Sequence, residues 1–168
     1  RARPESYGGK LQLQINGDKD YGLPDEIVNS DGPSRVRTAT GTYFLPQAFP
    51  EGSPTHPSYP AGHATIAGAC ATVLKAFFEE SMPYPNPVVA SADGSQLLPY
   101  SGGLTLRGEI NKLANNIALG RDWAGVHNRS DGIDGLIVGE QPAIGLLQDY
   151  SRTYYEQVTG FPLTQFDG

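Results

Sequence analysis

Apolar and polar positions separate an irregular stretch, residues 1–62, from a helical one, residues 63–168. From His63 onward Ile66, Cys70, Val73, Leu74 and Phe77 recur at helical spacing through Glu80, and Pro83 and Pro85 then stop the pattern. Leu106, Ile110, Leu113, Ile117 and Ala124 trace a second amphipathic helix of about five turns. A third segment, from about Asp131, carries Ile133, Leu136, Ile137, Ile144, Leu147 and Tyr154. Pro142 is expected to kink or divide it, because an interior proline removes a hydrogen bond and crowds the preceding turn. Gly135, Gly139 and Gly145 would let a neighbouring helix approach closely.

Residues 1–62 are punctuated throughout by Pro and Gly. Leu11, Leu13 and Ile15 alternate with polar residues before the Asn16-Gly17 turn signal, which predicts one short strand. A second loop is expected from Met82 to Gly103. These elements predict an all-α fold, a helical bundle with long loops at one end and no internal repeat.

Charge and composition narrow the partners. Lys and Arg total 12 against 18 Asp and Glu, a formal charge of −6, which argues against nucleic acid or an anionic membrane as the main partner. No apolar run is long enough to span a bilayer. The single cysteine, Cys70, falls among apolar residues and is expected to be a small buried hydrophobe. The sequence opens on Arg-Ala-Arg-Pro-Glu without Met, which reads as a fragment boundary within a longer protein.

Three histidines, His56, His63 and His127, are the residues most able to do chemistry. They form no H-x-x-x-H pair, and one cysteine adds no zinc pattern. His63 follows Tyr-Pro-Ala-Gly at the start of the first long helix. Unpaired N–H groups and the dipole favour an anion there, and Gly62 lets the backbone approach it. The alternative is a histidine that merely packs at a helix start.

Arg121, His127 and Asp131 form a second candidate group. On one unbroken helix Arg121 and His127 would lie about 240° apart, so they converge only if the helix ends near Gly125 and the chain turns back. Arg121 would then offer an oxyanion its planar fork of donors. Asp131 would accept the proton from one nitrogen of His127 and leave the other free. From spacing alone, a surface salt bridge for Arg121 and a helix cap for Asp131 remain the stronger readings.

The stretches from His56 to Thr65 and from Asn111 to Gly132 closely resemble vanadium-dependent haloperoxidases, especially the bromoperoxidases of marine algae and their bacterial relatives. Their superfamily, which includes acid phosphatases, shares the signature Lys-x6-Arg-Pro, Pro-Ser-Gly-His and Arg-x5-His-x3-Asp. Arg3-Pro4 matches the end of the first part, Pro60-Ala61-Gly62-His63 the second, and Arg121, His127 and Asp131 the third. The resemblance implies that His127 binds vanadium. Arg3, Arg121 and the N–H of Gly62 would meet the vanadate oxygens, with His63 as acid–base and His56 as an additional histidine near the site.

The implied activity is oxidation of bromide or iodide by hydrogen peroxide to a hypohalous-acid-like species that halogenates an organic acceptor. Vanadate would act as a Lewis acid. The resemblance also implies that the chain is the C-terminal part of a single domain, and by family analogy the protein is expected to form a homo-oligomer. Three departures stand out. The family's lysine falls before Arg1, Ala61 replaces the usual serine, and Asn128 stands where an aromatic residue is common. A phosphatase of the same superfamily, or a non-catalytic homologue with an impaired vanadate site, are the alternative functions.

Overall fold

The structure, a computed structural model, describes residues 2–48, 51–157 and 159–168. Among them, α1 spans Pro4–Ile15, α2 Asp25–Val28, α3 Asp31–Thr40 and α4 Gly62–Phe77. A hairpin of β1 (Val88–Ala90) and β2 (Leu97–Pro99) follows, then α5 (Leu106–Trp123) and α6 (Arg129–Ser151). The all-α class holds, because the two exposed strands pair only with each other.

One expectation for the first part of the chain is corrected. Its described residues are mostly irregular but also carry α1, α2 and α3, and Leu11, Leu13 and Ile15 lie in α1 rather than in a strand. Pro4 and Glu5 explain the change. Proline fixes a helical φ where its missing N–H is not needed, and an acid in the first turn complements the dipole. On a helix, residues two apart diverge, so Leu11 is buried at 1% exposure while Leu13 reaches 36%; Ile15, the last residue of α1, is 47% exposed. The expected loop at 82–103 contains the hairpin, closed by Asp93 and Gly94, the latter in the left-handed region.

The three long helices appear where their patterns begin. Helix α5 is started by Thr105, whose hydroxyl accepts the Gly108 N–H at 3.1 Å. Pro142 does not divide α6, which runs unbroken from Arg129 to Ser151. Pro142 and Val138 are both exposed, so the carbonyl that loses its partner can be met by water.

Helix α4 packs on α6 and α5 through small residues. Ala64, Ala67 and Ala71 meet Ala114, Ala118 and Leu136. A side chain on Gly68 would overlap the Leu136 carbonyl, and one on Gly139 the Thr65 carbonyl, so these helices touch at their backbones. Gly135 is similarly tight against Ala61 and Ala64, whereas Gly145 faces open space. The apolar stripe read from sequence is therefore not the interior face. Ile66 is 69% and Phe77 79% exposed, and Cys70, expected to be buried, is exposed.

A buried ion pair ties these helices to the end of the chain. Lys75 Nζ lies 3.3 Å from Glu140 Oε1, donates to the Thr164 carbonyl at 2.7 Å and stands 4.2 Å from the Phe166 ring centre. The Phe166 N–H donates to Glu140 Oε2 at 3.2 Å. With each charge met by its partner and by further donors or acceptors, the cost of removing both from water is offset.

Candidate oxyanion site

The sharp turn between α5 and α6 brings Arg121 to His127. Helix α5 ends at Trp123, Gly125 takes φ +72°, and the N–H groups of Val126 and His127 both return to the Arg121 carbonyl at 3.3 Å. Gly125 is needed twice over, since a side chain there would also strike Leu45. The expected reversal near Gly125 is present.

Two further contacts bring the other candidate residues to this turn. The Glu5 N–H donates to the Gly125 carbonyl at 2.9 Å, which seats the start of α1, and with it Arg3, against the turn. The Ala61 N–H donates to the Asp131 carbonyl at 3.0 Å, which docks the first turn of α4 on that of α6. Gly62 and His63 are the first two residues of α4, and both are exposed. The leading N–H groups of a helix have no partner within it.

His127 is 3% exposed and Asp131 is fully buried. His127 Nδ1 lies 3.4 Å from Asp131 Oδ2. The same oxygen accepts the Asn128 N–H at 3.0 Å, so Asp131 caps the helix and orients the histidine at once. Burial pushes the His127 ring below its ordinary value, and the charges of Arg3 and Arg121 act in the same direction, against the pull of Asp131. At neutral pH the ring is therefore uncharged. With its proton on Nδ1, facing Asp131, Nε2 is left unprotonated and presents its lone pair toward Arg3.

Arg3 is 3% exposed, and its five N–H donors can be followed individually. Nη1 donates to the Val126 carbonyl at 2.8 Å, Nη2 to that of His56 at 2.9 Å, and Nε to that of Pro54 at 3.1 Å. The two remaining protons face His127 Nε2, 3.5 Å from Nη1, and His56 Nδ1, 3.3 Å from Nη2. His56 itself is exposed, and its Nδ1 lies 2.9 Å from the Pro57 carbonyl.

Arg121 is 8% exposed, not the surface side chain that spacing alone favoured. Its Nη1 and Nη2 donate to Glu51 Oε2 and Oε1 at 2.7 and 2.8 Å, while its buried Nε has no partner. These hydrogen bonds hold the Glu51 carboxyl below the usual range against desolvation, helped by the charges of Arg121, His63 and His127.

Sequence reasoning missed Glu51. Its one signal was isolation, since it is the only acidic residue between Asp31 and Glu79. A polar cavity of about 340 Å³ opens beside Arg3, His56, Ser53 and Thr55. An apolar one of about 440 Å³ lies beside Asn128, lined by Tyr7, Ile27, Val36, Tyr43 and Leu45 among others.

The arrangement suits an oxyanion. Two guanidinium groups flank a neutral histidine, one buried guanidinium donor is unmet, and a carboxylate already lies in the fork of Arg121. A tetrahedral vanadate offers the same acceptor edges with more charge, so these residues fit that group.

Residues 25–155 match the family described as the VCPO second helical-bundle domain. The chain belongs to this family. It is 45% identical over 181 aligned residues to a vanadium-dependent bromoperoxidase of Ascophyllum nodosum, covering 99% of this chain and 32% of the relative. It is 50% identical over 189 to that of Corallina officinalis, covering 100% and 31%. A solved homohexameric vanadate-dependent bromoperoxidase of Ascophyllum nodosum superposes with a TM-score of 0.80 at 34% identity, over 99% of this chain and 34% of that one. The chain thus spans about a third of the length of these relatives.

Proposed function

We propose that the protein is a vanadium-dependent haloperoxidase that oxidises bromide or iodide with hydrogen peroxide and passes the resulting hypohalous-acid-like species to an organic acceptor. The observation that carries this reading is the buried, neutral His127, oriented by Asp131 and flanked by Arg3 and Arg121. The bromoperoxidase names of its relatives support it.

In this reading His127 Nε2 is the ligand to vanadium, and Asp131 keeps that nitrogen unprotonated. Arg3 and Arg121 neutralise the oxyanion, and the Gly62 N–H at the start of α4 donates to it. Vanadate, when bound, supplies a Lewis acid that polarises hydrogen peroxide. His63, exposed at the helix start, takes and returns the peroxide proton. His56 lies at the polar cavity, whose positive charge from Arg3 attracts halide. The apolar cavity beside Asn128 suits an organic acceptor.

Copies of the protein assemble into a homo-oligomer. The homohexameric relative supports this, as do exposed apolar residues such as Ile66, Phe77, Leu113 and Trp123.

Bromide oxidation by the full-length protein tests the activity. It is expected to require vanadate, to be inhibited by phosphate and to vanish in His127→Ala. Turnover of phosphate esters without bromide oxidation would overturn it in favour of a phosphatase.

A further inference from the structure

Among the described residues, Glu51 is the carboxylate that occupies an anion's place on Arg121. Its carboxylate takes both outer nitrogens of Arg121 in a bidentate pair, the geometry an oxyanion would itself adopt. It also lies close enough to His63 and His127 for their charges to act on it. A carboxylate there and a multiply charged oxyanion cannot share Arg121 without strong repulsion.

We propose that Glu51 is a built-in counter-anion, which holds the fork of Arg121 until an incoming oxyanion displaces it. The proposal rests on the oxyanion-site reading above and adds a competitor to it. Three observations support displacement. The Arg121 side chain is 9% exposed and that of Glu51 28%, so the carboxylate is the partner that can swing to water. Nearby, the Ala48 N–H donates to the Trp123 carbonyl at 3.0 Å and Ser53 Oγ lies 3.0 Å from Ser6 Oγ. Rotation of the Glu51 side chain is enough to free Arg121. Finally, the buried Nε of Arg121 is a donor that the carboxylate leaves unmet and a tetrahedral oxyanion can use.

The consequence is selectivity. A multiply charged oxyanion gains enough from Arg121, Arg3 and the α4 N-terminus to expel the carboxylate. A halide ion, with one charge and no edge to match the fork, does not. Glu51 thus keeps the reacting halide out of the cofactor's place and weakens oxyanion binding by competition.

The test is calorimetric titration of inorganic phosphate into the full-length, vanadate-free protein and its Glu51→Gln and Glu51→Asp variants. Glu51→Gln is expected to bind phosphate about three- to fivefold more tightly, the upper part of the range one partly exposed ion pair commands, and to show bromide competition that the native protein lacks. Glu51→Asp, which keeps the charge, is expected to stay within about twofold of native. A second check is a phosphate-bound crystal structure, expected to show Glu51 away from Arg121. Phosphate binding by Glu51→Gln that is unchanged or weaker would overturn the proposal and make Glu51 a support for Arg121. If native protein and Glu51→Gln both fail to bind phosphate, or bind it equally well after Arg121→Ala, the oxyanion-site reading itself falls.

Discussion

His127 and Asp131 face each other across the entry to α6, with Nδ1 3.4 Å from Oδ2, and Asp131 has no exposed surface. One carboxylate oxygen therefore sets the tautomer of the histidine and closes the helix that follows. Asp131→Asn should preserve the cap but release the tautomer, because an amide both donates and accepts. Vanadate affinity, followed by vanadium NMR titration, is expected to fall about 10–100-fold with little change in Tm. Unchanged affinity would show that Asp131 is a cap and nothing more.

Acidification should weaken the fold through His127. Its native value lies below the ordinary one, so the unfolded chain takes up the proton first as pH falls. The His127 contribution is complete above the ordinary histidine value and is lost between that value and the depressed native one. Melting native protein and His127→Gln from pH 7.5 to 5 compares the two states directly. Native protein is expected to lose more Tm than the variant over this range. Parallel curves would contradict the depressed value.

Lys75 and Glu140 make a separate claim about stability. Removing one partner leaves the other charged and buried, so Lys75→Met should cost about 3–5 kcal/mol in denaturant unfolding. Lys75→Met combined with Glu140→Gln should recover much of that loss. A double variant as unstable as the sum of the two singles would show that the charges act independently.

Ala61 caps α4 without a side-chain hydrogen bond and is wholly buried. Ala61→Ser supplies the hydroxyl that the haloperoxidase resemblance calls for. One added hydrogen bond to the bound oxyanion, worth about 1.4 kcal/mol, should tighten vanadate binding about tenfold. No gain would show that the donors already present suffice.

The sequence was most legible where a short-range rule governs the backbone. Leu106 opens α5 where its pattern begins, and Gly125 both follows its end and decides that Arg121 and His127 meet, whereas α4 ends at Phe77, short of Glu80 and Pro83. Arg3 is legible only through its match to a motif, whereas Gly62 and Asp131 also have local readings, from the helix start and from the spacing to His127. What escaped is set by distant partners. Lys75 reads as a solvated charge until Glu140, Thr164 and Phe166 surround it, and Glu51 reads as a loop acid until Arg121 reaches it. On α4 the large apolar residues do not mark the interior face. Helices packed at backbone contact instead bury Ala64, Gly68 and Ala71, leaving Ile66 and Phe77 outside. Helix α1 was hidden by an alternation that three residues produced by chance.

Whether His127 Nε2 binds vanadium is read by X-ray absorption at the vanadium edge of the loaded full-length protein. One imidazole nitrogen is expected in the vanadium shell of the native protein, lost in His127→Ala. A shell of oxygen alone, identical in native protein and variant, would contradict it.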